Sequence, residues 1–190
     1  MSEEQVLNYL LEFISENKNR KFEEVIRYRT RYLTIVLEDI FQPHNASAVL
    51  RSCDCFGIQD IHIIENDNTY NVNPAVALGS SKWLNIFKYN SFENNTRDCL
   101  LQLKSKGYRI VATSPQEKGY LINELPLDQK TALLFGTEMR GLSPIAMEMS
   151  DAYVKIPMYG FTESFNISVS AALSLYHLSE KMHGLPIPWQ

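Results

Sequence analysis

Short apolar runs recur along this 190-residue chain, and stretches with helical spacing separate them. Leu33–Leu37 (LTIVL), Ile61–Ile64 (IHII), Arg109–Thr113 (RIVAT), Ala132–Phe135 (ALLF) and Tyr153–Ile156 (YVKI) read as short strands, and Trp83–Tyr89 is a further candidate. Between them, Asn45 is placed to cap a helix over Ala46–Phe56 that ends at Gly57, and Phe92–Lys106 reads as a helix closed by Gly107. Ser143-Pro144 opens a helix with proline at its first position, and another helix fills most of Ile167–Met182. This alternation specifies an α/β fold, a mostly parallel sheet with helices on both faces. Such a sheet takes its ligand beyond the carboxyl ends of its strands. The loops at those ends are therefore where chemistry is sought.

Two regions lie outside the alternation. Residues 3–29 carry Val6, Leu7, Leu10, Leu11 and Ile14, then Phe22, Val25 and Ile26, and form a short N-terminal helical extension of one or two helices. The closing HGLPIPWQ holds two prolines too close together for a helix. The expected organisation is an extension over 1–31, one α/β domain over 32–184 and a tail over 185–190. With 45% hydrophobic and 21% charged residues, there is ample material for one core. No run of about 18 apolar residues is present, so no membrane span is expected. The acidic start MSEEQVLNYLLEF lacks the basic region and cleavage site of a signal peptide, which points to a cytoplasmic protein.

Cys53, Cys55 and Cys99 lie in apolar surroundings and fit reduced core thiols. Cys53 and Cys55 would stand roughly 200° apart on a helix, and no metal site is expected. A net charge of −4 argues against a nucleic-acid partner, because phosphate contacts need Lys and Arg. Yet Lys18, Arg20, Lys21, Arg27, Arg29 and Arg31 stand against only Glu23 and Glu24 in their stretch. That run is either a solvated helix face or an arm that meets RNA.

Three segments carry candidate chemistry. In Asn45–Arg51 (NASAVLR) and the residues after it, Ala46, Val49, Leu50, Cys53 and Phe56 share a helical stripe, and Arg51 projects about 160° from its middle. Taken alone, that describes a solvent-exposed arginine equally well, and Asn45 as a simple cap. In Leu134–Ser143 (LFGTEMRGLS), a buried strand breaks at Gly136 and Gly141 follows, letting a ligand approach the backbone. Glu138 would repel phosphate, so a cationic or ribose-bearing cofactor suits this loop better. No G-x-G-x-x-G occurs, which counts against a nicotinamide oxidoreductase. In Lys155–Tyr176 (KIPMYGFTESFNISVSAALSLY), a strand ends at Pro157, passes through Met158-Tyr-Gly160 to Ser164 and Asn166, and enters a helix rich in small residues. A capped, tightly packed core helix would give the same pattern.

The order and wording of these segments together resemble the TrmH family of the SPOUT methyltransferases, which methylate ribose 2′-hydroxyls in tRNA and rRNA. The matching stretches are LTIVLEDIFQPHNASAVLRSCDCFGIQDIHIIE, ALLFGTEMRGLS and KIPMYGFTESFNISVSAALSLY, and the resemblance covers roughly Arg27–Glu180. It implies a C-terminal trefoil knot, a homodimer, and S-adenosyl-L-methionine held bent among three loops. Thr113, Ser114, Gly136, Glu138, Gly141, Ile156, Met158 and Phe165 are the implied cofactor-binding positions. Backbone near Thr113, Ile156 and Phe165 would hold the adenine and methionine parts. Asn45, Arg51, Glu138, Ser164 and Asn166 are the implied catalytic group. Arg51 would activate the ribose hydroxyl, either as a base, against a guanidinium pKa above about 12, or by orienting phosphate and stabilising a forming alkoxide. In a dimer it would reach the partner's cofactor. The family commonly has Leu where Phe165 stands, a tolerated apolar swap at a position that contributes backbone.

The wording VLEDIFQPHNASAVLRSCDCFGIQ is closest to the tRNA enzymes that modify the D-loop guanosine. Guanosine 2′-O-methylation in tRNA, without metal, is therefore the expected reaction. Such enzymes usually add a C-terminal helix beyond the point where this sequence reaches Gln190. The alternatives are a 2′-O-methyltransferase for rRNA or the tRNA wobble nucleotide and, from another class, an RNA-binding dimer without catalysis.

Overall fold

The computed structural model describes residues 2–71, 73–115 and 117–186. In chain order it runs α1 (Glu3–Leu11), α2 (Glu16–Ile26), β1 (Leu33–Glu38), α3 (Pro43–Cys55), β2 (Asp60–Ile64), α4 (Pro74–Ala77) and β3 (Asn85–Tyr89). Then come α5 (Asn95–Ser105), β4 (Arg109–Thr113), β5 (Tyr120–Leu121), β6 (Thr131–Phe135), α6 (Pro144–Glu148), β7 (Ala152–Lys155) and α7 (Ile167–His183). The expected strands all form within two residues of their expected ends. The N-terminal segment is two helices: Ser2 and Gln5 make a capping box on α1, and the Ser15 side chain caps α2. Of the expected tail, residues 187–190 lie outside the described residues.

Several boundaries and one burial depart from expectation. The third helix begins at Pro43 and not at Ala46, because a proline's fixed φ and missing N–H suit a first helical position. Gln42 takes the cap position without a side-chain bond to the helix backbone, so Asn45 sits inside the first turn and is not the cap. Helix α5 starts at Asn95 and not at Phe92, since the Asn94 side chain accepts from the Arg97 N–H at 2.9 Å. Trp83 belongs to a short 3-10 turn, Ser80–Trp83, and not to β3. Cys53 and Cys99 are buried as expected, and burial pushes both thiols up. Cys55 is exposed, because it faces away from the stripe that holds Cys53.

The seven strands among the described residues form one sheet in the order β3-β2-β1-β6-β4-β7-β5, and every neighbouring pair is parallel. Alternation along β1 shows how the two faces are filled. Leu33, Ile35 and Leu37 pack with Ala46, Val49, Leu50 and Cys53 of α3 and with Ala171, Leu175 and Leu178 of α7. Val36 points the other way and joins Leu100 and Leu103 of α5 and Ala146 of α6. Each buried Val, Leu or Ile side chain among them contributes about 1.5–3 kcal/mol. Strand β6 lies between β1 and β4, and β7 between β4 and β5, although both follow their neighbours in the chain. That insertion sets β6, β4 and β7 side by side. Among the described residues, no helix is long and apolar enough to cross a membrane.

Candidate active site

Because β6, β4 and β7 are parallel neighbours, the loops leaving their carboxyl ends converge at one end of the sheet. They surround a cleft of about 490 Å³, a size in the ~300–1,000 Å³ range of small-molecule sites. All eight implied cofactor positions line it: Thr113 and Ser114 after β4, Gly136, Glu138 and Gly141 after β6, and Ile156, Met158 and Phe165 after β7. Hydrogen bonds hold the three loops in register. The Thr113 hydroxyl donates to the Leu134 carbonyl at 2.7 Å, and the Ser114 N–H to the Val154 carbonyl at 3.0 Å. The buried lining consists of Ile122, Phe135, Val154 and Ile167, plus one hydroxyl residue, Ser174.

The loop after β6 is a tight hairpin. Thr137 and Gly141 exchange backbone hydrogen bonds at 3.1 and 2.9 Å, and Gly141 has φ +69°, where a side chain would strain the backbone. A Cβ on Gly136 would lie 2.2 Å from the Gly141 carbonyl. The space at Gly136 is thus taken by the loop's own backbone rather than left for a ligand, which revises the expected reason for that glycine. The hairpin leaves Glu138, Met139 and Arg140 at an exposed tip. Its far end is anchored by Glu38, the last residue of β1 and 3% exposed. The Glu38 carboxylate accepts from the Ser143 N–H at 2.8 Å, the Ser143 hydroxyl at 2.7 Å and the Thr96 hydroxyl at 2.6 Å. Sequence reasoning missed this residue, although an acidic side chain closing the apolar run LTIVL is a visible signal.

Three of the five implied catalytic residues meet directly. The Asn45 amide donates to the Glu138 carboxylate and, at 3.2 Å, to the Gln42 side chain, while its oxygen accepts from the Asn166 amide at 3.2 Å. Asn166 caps α7 as well, accepting from the Ser168 N–H at 2.9 Å and the Ser168 hydroxyl at 2.6 Å. Capping and membership of the cluster are therefore one role. Ser164 lines the same cleft and is exposed. Arg51 is not brought to this group. It faces solvent from α3, and among the described residues it forms no ion pair.

The basic run divides. Lys18, Arg20, Lys21 and Arg27 are exposed; Lys21 pairs with Glu24 at 3.1 Å and Arg20 donates to the Asn17 side chain at 2.9 Å. Arg29 is largely buried against Asp54 and also donates to the Ile58 carbonyl at 3.2 Å, and Arg31 pairs with Asp60 at 3.2 Å. Those last two guanidiniums are spent on tying the arm to the α/β body. The tie, completed by the Thr30–Ile58 bridge, stands at the amino ends of β1 and β2, so the root of the arm lies at the opposite end of the sheet from the cleft.

A sequence model of the SpoU rRNA Methylase family matches residues 32–176. A tRNA (guanosine(18)-2′-O)-methyltransferase of Borreliella burgdorferi is 47% identical over 172 residues, covering 90% of this chain and 77% of the relative. The enzyme of the same name from Thermus thermophilus is 35% identical over 162 residues, covering 85% of this chain and 81% of the relative. Among solved structures, an Aquifex aeolicus TrmH/SpoU tRNA modifying enzyme superposes with a TM-score of 0.79 at 29% identity, covering 88% of this chain and 84% of that one. The family match spans the whole sheet and all three cleft loops, and the chain belongs to the SpoU rRNA Methylase family.

Proposed function

We propose that this protein transfers the methyl group of S-adenosyl-L-methionine to the ribose 2′-hydroxyl of a guanosine in tRNA. The observation that carries this reading is the direct linkage of Asn166, Asn45 and Glu138 at a cleft built from the loops after β4, β6 and β7. The substrate follows from the relatives, two of which are named for guanosine 18 of tRNA at 47% and 35% identity.

The residues present fit the cofactor. An apolar buried lining accepts an uncharged ring, and Glu117, Glu138 and Glu163 together with Arg140 and Lys155 along the cleft suit a ligand bearing sulfonium, ammonium and carboxylate charges. When bound, the cofactor supplies an electrophilic methyl group on positively charged sulfur. Asn45 has both amide hydrogens and its oxygen engaged within the protein, so it positions Glu138 and does not itself meet substrate. Glu138 keeps its second oxygen to orient the ribose hydroxyl. Arg51 stabilises the alkoxide that forms as the hydroxyl passes its proton to solvent water. Its distance from its own cluster is resolved if two copies pair and Arg51 serves the partner's cleft, which makes the working unit a homodimer. The insertion of β6 and β7 between earlier strands supports a C-terminal trefoil knot within the domain over 32–184. Lys18, Arg20, Lys21 and Arg27 of the extension over 1–31 face RNA, in the cytoplasm, where tRNA is modified.

Incubation with labelled cofactor and total tRNA and rRNA, followed by nucleoside mapping, tests this. The expected product is 2′-O-methylguanosine in tRNA. Label confined to rRNA or to the wobble nucleotide would transfer the assignment to those substrates. Absence of cofactor binding by calorimetry would leave an RNA-binding dimer without catalysis.

A further inference from the structure

Helix α7 buries a stripe of Ile167, Ala171, Leu175, Leu178 and Met182, and Ser174 stands within it. The residue is 1% exposed and lines the cleft, and its hydroxyl has no hydrogen-bond partner among the described residues. A buried serine in a helix ordinarily turns its hydroxyl back to the carbonyl four residues earlier. The half-buried Ser52 does so here, donating to the Ala48 carbonyl at 3.1 Å; the Ser174 hydroxyl makes no such bond to the Ser170 carbonyl. A buried hydroxyl left unpaired is destabilising, so its place in the cleft lining marks it as waiting for a polar atom of a ligand.

The surroundings narrow the kind of atom. The other buried lining residues are Ile122, Phe135, Val154 and Ile167, which would penalise a carboxylate or an ammonium but accept a flat uncharged ring. Ser174 also lies eight residues beyond Asn166 on α7, about 12 Å along the axis from the reacting cluster. We infer that the Ser174 hydroxyl hydrogen-bonds the nitrogen-bearing edge of the cofactor's adenine. This inference rests on the reading that the cleft takes S-adenosylmethionine, and it adds to that reading one side chain that selects the base.

Calorimetric titration of wild type, Ser174→Ala and Ser179→Ala with S-adenosylmethionine and with 5′-methylthioadenosine, which lacks the amino-acid part, decides it. Ser174→Ala should bind both ligands about three- to tenfold more weakly, while the ligand-free variant melts at or above the wild-type temperature. Ser179→Ala loses the bond from its hydroxyl to the Tyr176 carbonyl and should bind both ligands as wild type does. Unchanged affinity in Ser174→Ala would overturn the inference while leaving the cofactor reading intact. Weakening with S-adenosylmethionine alone would overturn the assignment to adenine. Wild-type protein that binds neither ligand would overturn both readings.

Discussion

Arg51 is the residue whose surroundings within a single chain explain it least. Its helix buries Ala46, Val49, Leu50 and Cys53, and the side chain is left in solvent away from Asn45 and Glu138. If it stabilises an alkoxide, Arg51→Ala should lower kcat by roughly 100-fold or more while cofactor affinity stays within a few-fold. Single-turnover assays with calorimetry read both quantities, and full activity would return Arg51 to an ordinary surface arginine. His62 offers a test at the same scale, far from the chemistry. It is 2% exposed on β2, its ring stacked on Phe87 at 5.0 Å and bonded to the Tyr89 hydroxyl at 2.9 Å. Burial, against the pull of Asp60, lowers its pKa to about 4, whereas an unfolded histidine titrates near 6.5. Between those values the unfolded chain binds the extra proton, so this contribution is full above about pH 6.5 and is lost as pH falls towards 4. The loss is on the order of 3 kcal/mol. Urea unfolding at pH 7 and pH 4.5 should show it, and His62→Gln should flatten the slope; an unaltered slope would refute the assignment. Such residues were only partly legible in the sequence. Asn45, Glu138 and Asn166 could be named from their motifs. Ser174 could not, because what distinguishes it is a missing partner; Glu38 closes a visible apolar run, but its partners Ser143 and Thr96 come from distant segments.

The element that most directly shapes the cleft is the hairpin after β6, and two substitutions separate its internal packing from its anchor. In Gly136→Ala the new methyl group would sit 2.2 Å from the Gly141 carbonyl, so the hairpin must open. Cofactor affinity should then fall by more than tenfold, out of proportion to any drop in the melting temperature. Wild-type affinity would show that the cleft tolerates a displaced hairpin. Glu38→Ala removes a carboxylate that holds Ser143 and Thr96 and leaves the buried Thr96 hydroxyl and the half-buried Ser143 donors without their acceptor, at a cost of roughly 1.5–3 kcal/mol or more in denaturant unfolding. The strands themselves were legible as short, mostly apolar stretches of four or five residues, because a sheet covered on both faces needs such stretches. Helix α4 has four residues and β5 has two, fewer than a periodic pattern needs to declare itself. The start of α3 was misplaced because Asn45 is a good cap by type, while its side chain is drawn off to Glu138 and Asn166.

Strand order belongs to the whole molecule and had no counterpart in the sequence, since strands apolar on both faces carry no record of their neighbours. It is the order that sets β6 beside β4 and β7, gathers the cleft at the carboxyl ends, and leaves the arm rooted at the other end of the sheet. Within a single chain neither Arg51 nor the root of the arm is placed at the cleft. A symmetric dimer removes that difficulty, because each Arg51 can then serve the other subunit's cofactor. The arrangement is testable with two variants that are each expected to be inactive, Arg51→Ala and Glu138→Gln. In a mixed dimer made by co-expression, the intact cleft of the Arg51→Ala subunit faces the intact Arg51 of the Glu138→Gln subunit. One cleft in two is then complete in half of the dimers, and activity should return to roughly a quarter of the wild-type rate. If Arg51 acted on its own subunit, the mixed dimer would contain no complete site. A co-expressed pair that sediments as a dimer and stays inactive would therefore refute action across the interface, whatever the chemical role of the arginine.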